Sequence, residues 1–91
     1  MNPKRASIVE SIAGRDAGKL FIVIDIMDDN YLLLADGKNR RIESPKKKKI
    51  KHLKECCSQL ASIEERISDG TLSNSALRKA LKEYSAEKNS L

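Results

Sequence analysis

The sequence predicts a small, mainly β fold with C-terminal helices. Two observations lead to this prediction. Between Ala6 and Glu43, short apolar runs alternate with turns rich in Gly, Asp and Asn, whereas after Lys51 the apolar residues recur every three or four positions. The first pattern is typical of antiparallel strands and the second of amphipathic helices. With 91 residues, the chain has room for one small domain, or for a smaller one with an appendage.

Three strands are predicted in the first part of the chain. Ser7 to Ala13 is rich in β-branched residues and ends at the turn Gly14 to Gly18. Leu20 to Met27 alternates in a way that suits a strand buried on one face. After the turn Asp28-Asp29-Asn30, Tyr31 to Ala35 is expected to be the third strand.

A fourth strand and a closed sheet are also expected. Asp36-Gly37 predicts a two-residue hairpin turn, after which Arg40 to Glu43 would return as a short strand. Pro45 would end this part of the sheet. Strands this short can close into a strongly bent antiparallel barrel, which leaves no exposed edge, and an SH3-like barrel is the natural size. We therefore expect a barrel unit in residues 1–53.

Residues 54–91 are predicted to form a helical extension that folds as a hairpin. The first helix is expected from about Lys54 to Ser68, with a stop at Asp69-Gly70. Ser73 or Asn74 can cap the second helix, and the last six residues of the chain would fray. The apolar positions are Leu53, Cys56, Cys57, Leu60, Ile63 and Ile67 in the first helix and Ala76, Leu77, Ala80, Leu81 and Tyr84 in the second.

Positive charge is concentrated between Asp36 and Lys54. This segment holds nine Lys and Arg against two acids, a net charge of +7, whereas the remaining residues, with nine bases against eleven acids, carry −2. Such a local charge is typical of a surface that meets a polyanion: RNA or DNA, an acidic membrane, or an acidic protein. A membrane is disfavoured because no apolar face adjoins the lysines. The only aromatic residues are Phe21, Tyr31 and Tyr84, which disfavours a binder built on stacked bases.

The sequence does not favour an enzyme. The single histidine, His52, lies between lysines without a carboxylate or nucleophile beside it, and Gly14 and Gly18 do not belong to a phosphate-binding loop. Cys56 and Cys57 are adjacent, which suits neither a structural disulfide nor a zinc site, so we expect reduced thiols, no metal and no cofactor. No apolar run reaches the ~18 residues of a membrane span, and no signal-peptide core is visible, so a cytoplasmic protein is expected.

Phosphate recognition needs only the residue types that this chain has. Arg offers a planar fork for phosphate oxygens, and Lys offers a mobile charge. If the fold brings the Gly14 to Gly18 turn near the Asp36 to Lys49 segment, their basic side chains form one face. The alternative is that the lysine run is only a solvated surface, but the run lies between two structured pieces. The candidate phosphate-binding residues in or beside the predicted turns are Arg15, Lys19, Lys38, Arg40, Arg41, Lys46, Lys47, Lys48 and Lys49.

The stretch VESIAGRDAGKLFIVI, from Val9 to Ile24, resembles the KOW motif, a strand-turn-strand element of ribosomal proteins and of a bacterial transcription elongation factor. Together with YLLLADGKNRRIESPKKKKIKHL, which ends at Leu53, it is similar to the small bacterial KOW domain-containing RNA-binding proteins. Those proteins are similar to large-subunit ribosomal proteins of the archaeal and eukaryotic type. The resemblance implies an SH3-like barrel that binds RNA, ribosomal RNA above all, through basic loops.

The resemblance also assigns roles to individual residues. It adds Lys51 and His52 to the RNA-binding set. Gly14 and Gly18 would serve backbone geometry, and Asp16 would fix their turn by a hydrogen bond to its own backbone. The turn-forming motif residues are Gly14, Asp16, Gly18, Asp36 and Gly37. The helices lie outside the motif, and the resemblance assigns them no activity.

The leading hypothesis is a non-enzymatic protein that docks on ribosomal RNA through its basic loops, with ribosomal proteins as further partners. Because aromatic residues are sparse, recognition of duplex shape and backbone is favoured over unstacked bases. The alternative is a protein-interaction module of the ribosome or the transcription machinery, in which the barrel or the helical hairpin binds the partner.

Overall fold

The computed structural model describes residues 3–88 and confirms a mainly β fold with C-terminal helices. The five strands are β1 (Ile8–Ser11), β2 (Leu20–Ile26), β3 (Tyr31–Ala35), β4 (Lys46–Lys49) and β5 (Leu53–Cys57). The helices are α1 (Ala61–Asp69) and α2 (Asn74–Lys88), and short 3-10 turns occupy Gly14–Asp16 and Ile50–His52.

The strands form one antiparallel sheet in the order β4-β3-β2-β1-β5. Its register shifts between Ile8 and Val9 in β1 and between Val23 and Asp25 in β2, and such bulges bend and twist a sheet. Within residues 3–88, β4 and β5 lie at opposite edges and do not pair, so the sheet is open and the predicted closed SH3-like barrel is not confirmed. The lysines of β4 protect its edge instead, because charged edge strands resist pairing with other chains.

The first three strands agree with the sequence prediction. Each predicted segment contains the observed strand, and Tyr31–Ala35 has the same bounds in both. The turn before β3 is held by Asp28, whose Oδ1 accepts hydrogen bonds from the backbone N–H groups of Asn30 at 2.8 Å and Tyr31 at 3.0 Å. These elements are predictable because their apolar runs and turns are local.

The predicted fourth strand at Arg40 to Glu43 is wrong. Residues 41–45 form no strand, and β4 is the lysine run itself, which begins directly after Pro45. Two backbone N–H groups of the predicted segment donate to side chains and not to a neighbouring strand. The N–H of Arg40 donates to Asp36 Oδ1, and the N–H of Ile42 donates to Asn74 Oδ1. The residues between β3 and β4 therefore make a wide loop, residues 36–45, in place of a two-residue hairpin turn.

The predicted start of the first helix is also wrong. Leu53–Cys57 is the edge strand β5, which pairs with β1, and α1 begins only at Ala61. The apolar spacing in this segment fits a helix, but pairing with β1 overrides that local pattern. Cys56 and Cys57 therefore lie on a strand, and both are free and half-buried against the same apolar cluster. β5 runs across the predicted boundary after Leu53, and the division into two units stays a prediction.

Apolar side chains pack on both faces of the sheet. Phe21, Ile22 and Val23 of β2 are all buried, which corrects the expectation of a strand buried on one face only. We call the cluster beneath the helices the helix-side core and the cluster on the other face the inner core. Buried residues of the helix-side core are Ala6, Ile8, Ile22, Ala35, Ile63 and Leu77, and those of the inner core are Val9, Phe21, Val23, Leu32, Leu34 and Leu53.

The two helices complete the helix-side core. α1 contributes Ile63 and α2 contributes Leu77, while Gly70 caps α1 where the sequence predicts its end. The other apolar positions predicted for α2, Ala76, Ala80, Leu81 and Tyr84, are partly buried against this core. The predicted fraying of the tail is wrong for residues 86–88, which are helical, and for residues 89–91 it lies outside the described residues.

Candidate nucleic-acid interface

The four lysines of β4 point alternately to the two faces of the sheet. Lys46 pairs with Leu34 and Lys48 with Leu32, both of which belong to the inner core. Paired residues of an antiparallel ladder share a face, so Lys46 and Lys48 leave the strand on the inner side. We call them the inner lysines. Lys47 and Lys49 leave it on the outer side and are exposed, and we call them the outer lysines.

The inner lysines reach across to the loop between β1 and β2. The ammonium group of Lys46 donates to Oδ2 of Asp16. That of Lys48 donates to Ser11 Oγ at 2.7 Å and to the carbonyl oxygen of Ala13 at 3.1 Å. Both ammonium groups therefore have polar partners within the protein. The Gly14 to Gly18 turn therefore lies beside the lysine run. This proximity is the condition under which the basic side chains of the two segments would form one face.

The outer lysines flank an aromatic ring. Lys49 pairs with Tyr31 across the strands, and the Nζ atoms of Lys47 and Lys49 lie 4.6 Å and 6.0 Å from the centroid of its ring. These distances are in the range of cation–π contacts, which hold the ammonium groups near the surface while leaving their donors available to a ligand. Lys47 lies over the Tyr31 ring, so a base could stack at that position only by displacing the lysine.

The Gly14–Gly18 turn carries two further candidate residues. Gly14 and Gly18 have φ values of 75° and 91°, which confirms their predicted role in backbone geometry. Arg15 and Lys19 are exposed, with Lys19 Nζ 3.7 Å from Asp16 Oδ1. The carboxylate of Asp16 bonds to Lys46, which corrects the prediction that it bonds to its own backbone. Asp16 thus joins the turn to β4.

Asp36 has the local role that was expected for Asp16. Its Oδ1 accepts hydrogen bonds from the backbone N–H groups of Lys38 at 2.9 Å and Arg40 at 2.8 Å, which fixes the start of loop 36–45. Lys38, Arg40 and Arg41 are exposed along this loop. The backbone turn therefore presents three bases to solvent in succession.

The far side of loop 36–45 rests on the start of α2. Gly37 has a φ of 78°, and a Cβ atom there would overlap the backbone carbonyl oxygen of Asn74. Asn74 is buried, with 8% of the residue exposed. Its side chain accepts a hydrogen bond from Ile42 N–H at 2.8 Å and donates one to Glu43 Oε1 at 2.9 Å. Arg78 Nη1 donates to the carbonyl oxygen of Gly37 at 2.6 Å. Helix α2 therefore holds the loop in place.

Sequence reasoning missed the roles of Asn74 and Arg78. Asn74 was considered only as a helix cap, but the observed cap is Ser73, whose Oγ accepts from the N–H of Ala76 at 3.1 Å. The Asn74 side chain is thereby left to bind the loop. No local pattern predicts this contact, because Asn74 and its partner Ile42 are 32 positions apart.

The last two candidates, Lys51 and His52, lie in the 3-10 turn between β4 and β5. Lys51 is exposed and lines a surface groove of about 470 Å³ with Tyr31 and Lys49. His52 is half-buried, and its backbone carbonyl oxygen accepts from Ile12 N–H at 2.9 Å. The backbone contact of His52 thus ties the 3-10 turn to the end of β1.

Two carboxylates within this surface have lowered pKa values. The hydrogen bond from Lys46 holds the pKa of Asp16 below its ordinary value, with smaller contributions from the charges of Lys46, Lys19 and Lys48. The pKa of Glu43 is lowered by its own backbone N–H, then by the amide of Asn74 and by Arg41. Both carboxylates are therefore ionised at neutral pH, where they balance part of the positive charge.

No cluster of three or more His, Cys, Asp and Glu side chains that could hold a metal ion occurs in residues 3–88. In the same part of the chain, no helix is long and apolar enough to cross a membrane.

The comparisons with known proteins give one partial similarity. No protein-family model matches the chain. A stretch of 41 residues is 44% identical to the large ribosomal subunit protein eL14 of Desulfurococcus amylolyticus. The match covers 45% of this chain and 43% of that relative, so the chain spans less than half of the relative's length. This similarity supports a KOW-type, ribosomal-protein-like relationship over the matched stretch.

Proposed function

We propose that this protein is a non-enzymatic RNA-binding protein that docks on ribosomal RNA through one basic surface. The observation that carries the proposal is the division of β4: its inner lysines bind Asp16 of the Gly14 to Gly18 turn and the adjoining end of β1, while its outer lysines leave the strand on the other face and are exposed to solvent. The partial similarity to a ribosomal protein supports the choice of RNA over other polyanions. The exposed bases of the proposed surface are Arg15, Lys19, Lys38, Arg40, Arg41, Lys47, Lys49 and Lys51.

Each kind of basic residue has its own part in the proposed contact. The outer lysines act as mobile charges on phosphate oxygens, whereas Arg15, Arg40 and Arg41 offer guanidinium forks for bidentate contacts. The inner lysines act indirectly, because their ammonium groups are bound to the protein. RNA is then recognised by its backbone and duplex shape, without base stacking on Tyr31.

The finer family assignment belongs to the same proposal. We place the chain with the small bacterial KOW domain-containing proteins and expect it to act on the cytoplasmic ribosome or its precursors. The bent sheet would be an open version of the SH3-like barrel, in which the 3-10 turn Ile50–His52 connects the two edge strands β4 and β5 without hydrogen bonds between them. Ribosomal proteins next to the RNA site would be further partners.

The decisive experiment measures binding of the full chain to ribosomal RNA at several salt concentrations. Replacing both outer lysines, K47Q with K49Q, should weaken binding for many RNA sequences alike. It should also lower the salt slope, by about 1.4 to 1.8 log units per log unit of salt if each lysine contacts one phosphate. The matched control is K54Q with K79Q, which removes the same charge at two exposed positions outside the proposed surface.

The outcomes separate the proposal from a general charge effect. Equal losses in the two double variants would mean that only net charge matters. Binding that does not respond to salt, or no binding of ribosomal RNA by the wild-type protein, would overturn the proposal. Thermal unfolding of each variant shows whether its fold is intact.

A second candidate function is a protein-interaction module of the ribosome or the transcription machinery. The observation that favours it is the exposure of three large apolar residues, Ile12 at 54%, Ile26 at 48% and Met27 at 49%. Ile26 ends β2 and Met27 follows it directly, so apolar surface is exposed at this end of the strand. Partners that remain bound after nuclease treatment, and are lost in I26S with M27S, would support this function.

A further inference from the structure

Helix α2 and loop 36–45 enclose a surface groove that the sequence analysis did not anticipate. The groove has a volume of about 480 Å³. Its charged lining residues are Lys38 from the loop, Arg78 and Lys82 from the helix, and Asp36. Leu20, Leu81 and Ser85 complete the lining. Three cations thus face one carboxylate, and that carboxylate already accepts two backbone N–H groups.

The charges of α2 are divided between two sides of the helix. Arg78 and Lys82 lie one turn apart and line the groove beside the loop. Glu83 and Glu87 line a different groove, next to Cys57 and Ile8. The acidic side of the helix therefore faces β5 and the basic side faces loop 36–45.

The groove is built on a fixed framework. Arg78 is anchored by its bond to the Gly37 carbonyl oxygen, and Asn74 holds the next part of the loop. Lys38 and Lys82 are exposed at the groove. A fixed frame with mobile ammonium groups is well suited to phosphate, since the ligand meets positive charge whose surroundings are already ordered.

RNA is the occupant that the surrounding charges favour. The groove shares Lys38 with loop 36–45, whose Arg40 and Arg41 belong to the proposed RNA-binding surface. An RNA backbone bound along that loop carries a phosphate at every nucleotide, so it can continue into the groove without a break in charge. A free anion or a single acidic side chain would bind in the groove alone and would not use the positive charge that continues along loop 36–45.

We infer that the groove between loop 36–45 and α2 is a second phosphate-contact site for the same RNA, with Lys82 as its principal contact. This inference rests on the proposed function. It makes α2 part of the RNA-binding surface in addition to its packing role, and it extends the site to a helix outside the KOW-like region. Arg78 acts mainly as a positioning residue, because its guanidinium holds Gly37.

The test compares K82Q with K79Q in ribosomal RNA binding by the full chain. Both lysines are exposed on α2, but only Lys82 lines the groove. K82Q should bind about fivefold more weakly at ~0.15 M salt and lower the salt slope by about 0.7 to 0.9. K79Q should bind RNA as tightly as the wild type does. K82R keeps the charge and should therefore bind about as tightly as the wild type. A photo-crosslinking side chain at Ser85, which lines the groove, should capture RNA.

Each outcome has a distinct meaning. If wild-type protein binds RNA and K47Q with K49Q weakens it, but K82Q does not, the inference is wrong and the proposed function stands. Equal losses in K82Q and K79Q would also overturn the inference, because they indicate a general charge effect. If a protein partner stays bound to the wild-type protein after nuclease treatment but is lost in K82Q, the groove binds protein and not RNA. Failure of the wild-type protein to bind ribosomal RNA would overturn both proposals.

Discussion

The two basic loops of this protein are held in place by different chemistry. The Gly14 to Gly18 turn is joined to β4 by charge, through the contact between Asp16 and Lys46. Loop 36–45 is held mainly by close packing and by side-chain hydrogen bonds to its backbone, because Gly37 lies against α2, the Asn74 amide binds Ile42 N–H and Arg78 donates to the Gly37 carbonyl oxygen.

This difference has consequences for how each loop responds to its surroundings. A contact between ions weakens with added salt and disappears when the carboxylate is protonated, whereas close packing and amide hydrogen bonds respond little to either. We therefore expect the Gly14 to Gly18 turn to be sensitive to solution conditions and loop 36–45 to be sensitive to substitution. Three stability predictions test this comparison.

The largest effect is expected from G37A. An alanine at this position has an unfavourable positive φ, and its methyl group overlaps the Asn74 carbonyl oxygen. We expect a loss of about 2–4 kcal/mol in the free energy of unfolding, measured by urea denaturation. G18A is the matched control, since its φ is 91° but no atom lies within 4 Å of the added carbon. It should lose only about 1–2 kcal/mol, and equal losses would mean that contact with α2 is unimportant.

N74A should give the next largest effect. It removes the acceptor for Ile42 N–H and the donor to Glu43 in a part-buried site, which should cost about 1–3 kcal/mol. Amide hydrogen exchange at Ile42 should accelerate more than the global stability change explains. S73A is the control, because it removes only the helix cap. If Ile42 exchanges equally fast in both variants, Asn74 does not hold the loop.

The smallest effect is expected at the Gly14 to Gly18 turn, and it should depend on pH. The folded pKa of Asp16 is lowered, mainly by its hydrogen bond from Lys46, so the stabilisation is present above the ordinary value of 3.8 and is lost as pH falls through the folded pKa. K46M should cost about 0.2–1 kcal/mol at pH 7 and close to nothing at a pH below the folded pKa of Asp16.

K48M provides the control for that prediction. Lys48 bonds to a hydroxyl and a carbonyl oxygen, neither of which titrates, and its charge contributes less to the lowered pKa of Asp16 than the Lys46 hydrogen bond does. Its contribution should therefore change less than that of Lys46 between pH 7 and a pH below the folded pKa of Asp16. Stability measured by urea denaturation at both pH values distinguishes the two lysines. A K46M effect that persists at low pH would show that Lys46 acts through its stem and not through Asp16.

The predictable part of the fold is the part where neighbouring residues decide the structure. β3 has the predicted bounds because an apolar run lies between two turns made by Asp28 and Asp36. β5 was predicted as helix because Leu53, Cys56 and Cys57 happen to fit a helical period. Its strand conformation depends on β1, more than 40 positions earlier in the chain, which no local pattern reveals.

The candidate site was predictable in composition but not in arrangement. The choice of basic residues follows from charge and motif, whereas the proximity of the Gly14 to Gly18 turn to the lysine run was only a condition for a common face. Four identical lysines, however, contain no sequence signal that separates inner from outer positions, and the division follows only from pairing with β3. The loop contact of Asn74 and the place of Lys82 in the groove were missed because both depend on how α2 lies against loop 36–45.

The alternation along β4 also means that its register cannot be specified by the strand itself. A shift by one residue would exchange every inner lysine for an outer one while leaving the sequence of the strand unchanged. The alignment must come from its surroundings: Asp16 and Ser11 select the lysines that reach them, and Ile50 N–H bonds to Asn30 at 2.8 Å just beyond the strand. Inserting one lysine into the run would therefore place two equivalent pairings in competition, giving a protein of nearly unchanged composition with two interconverting surfaces.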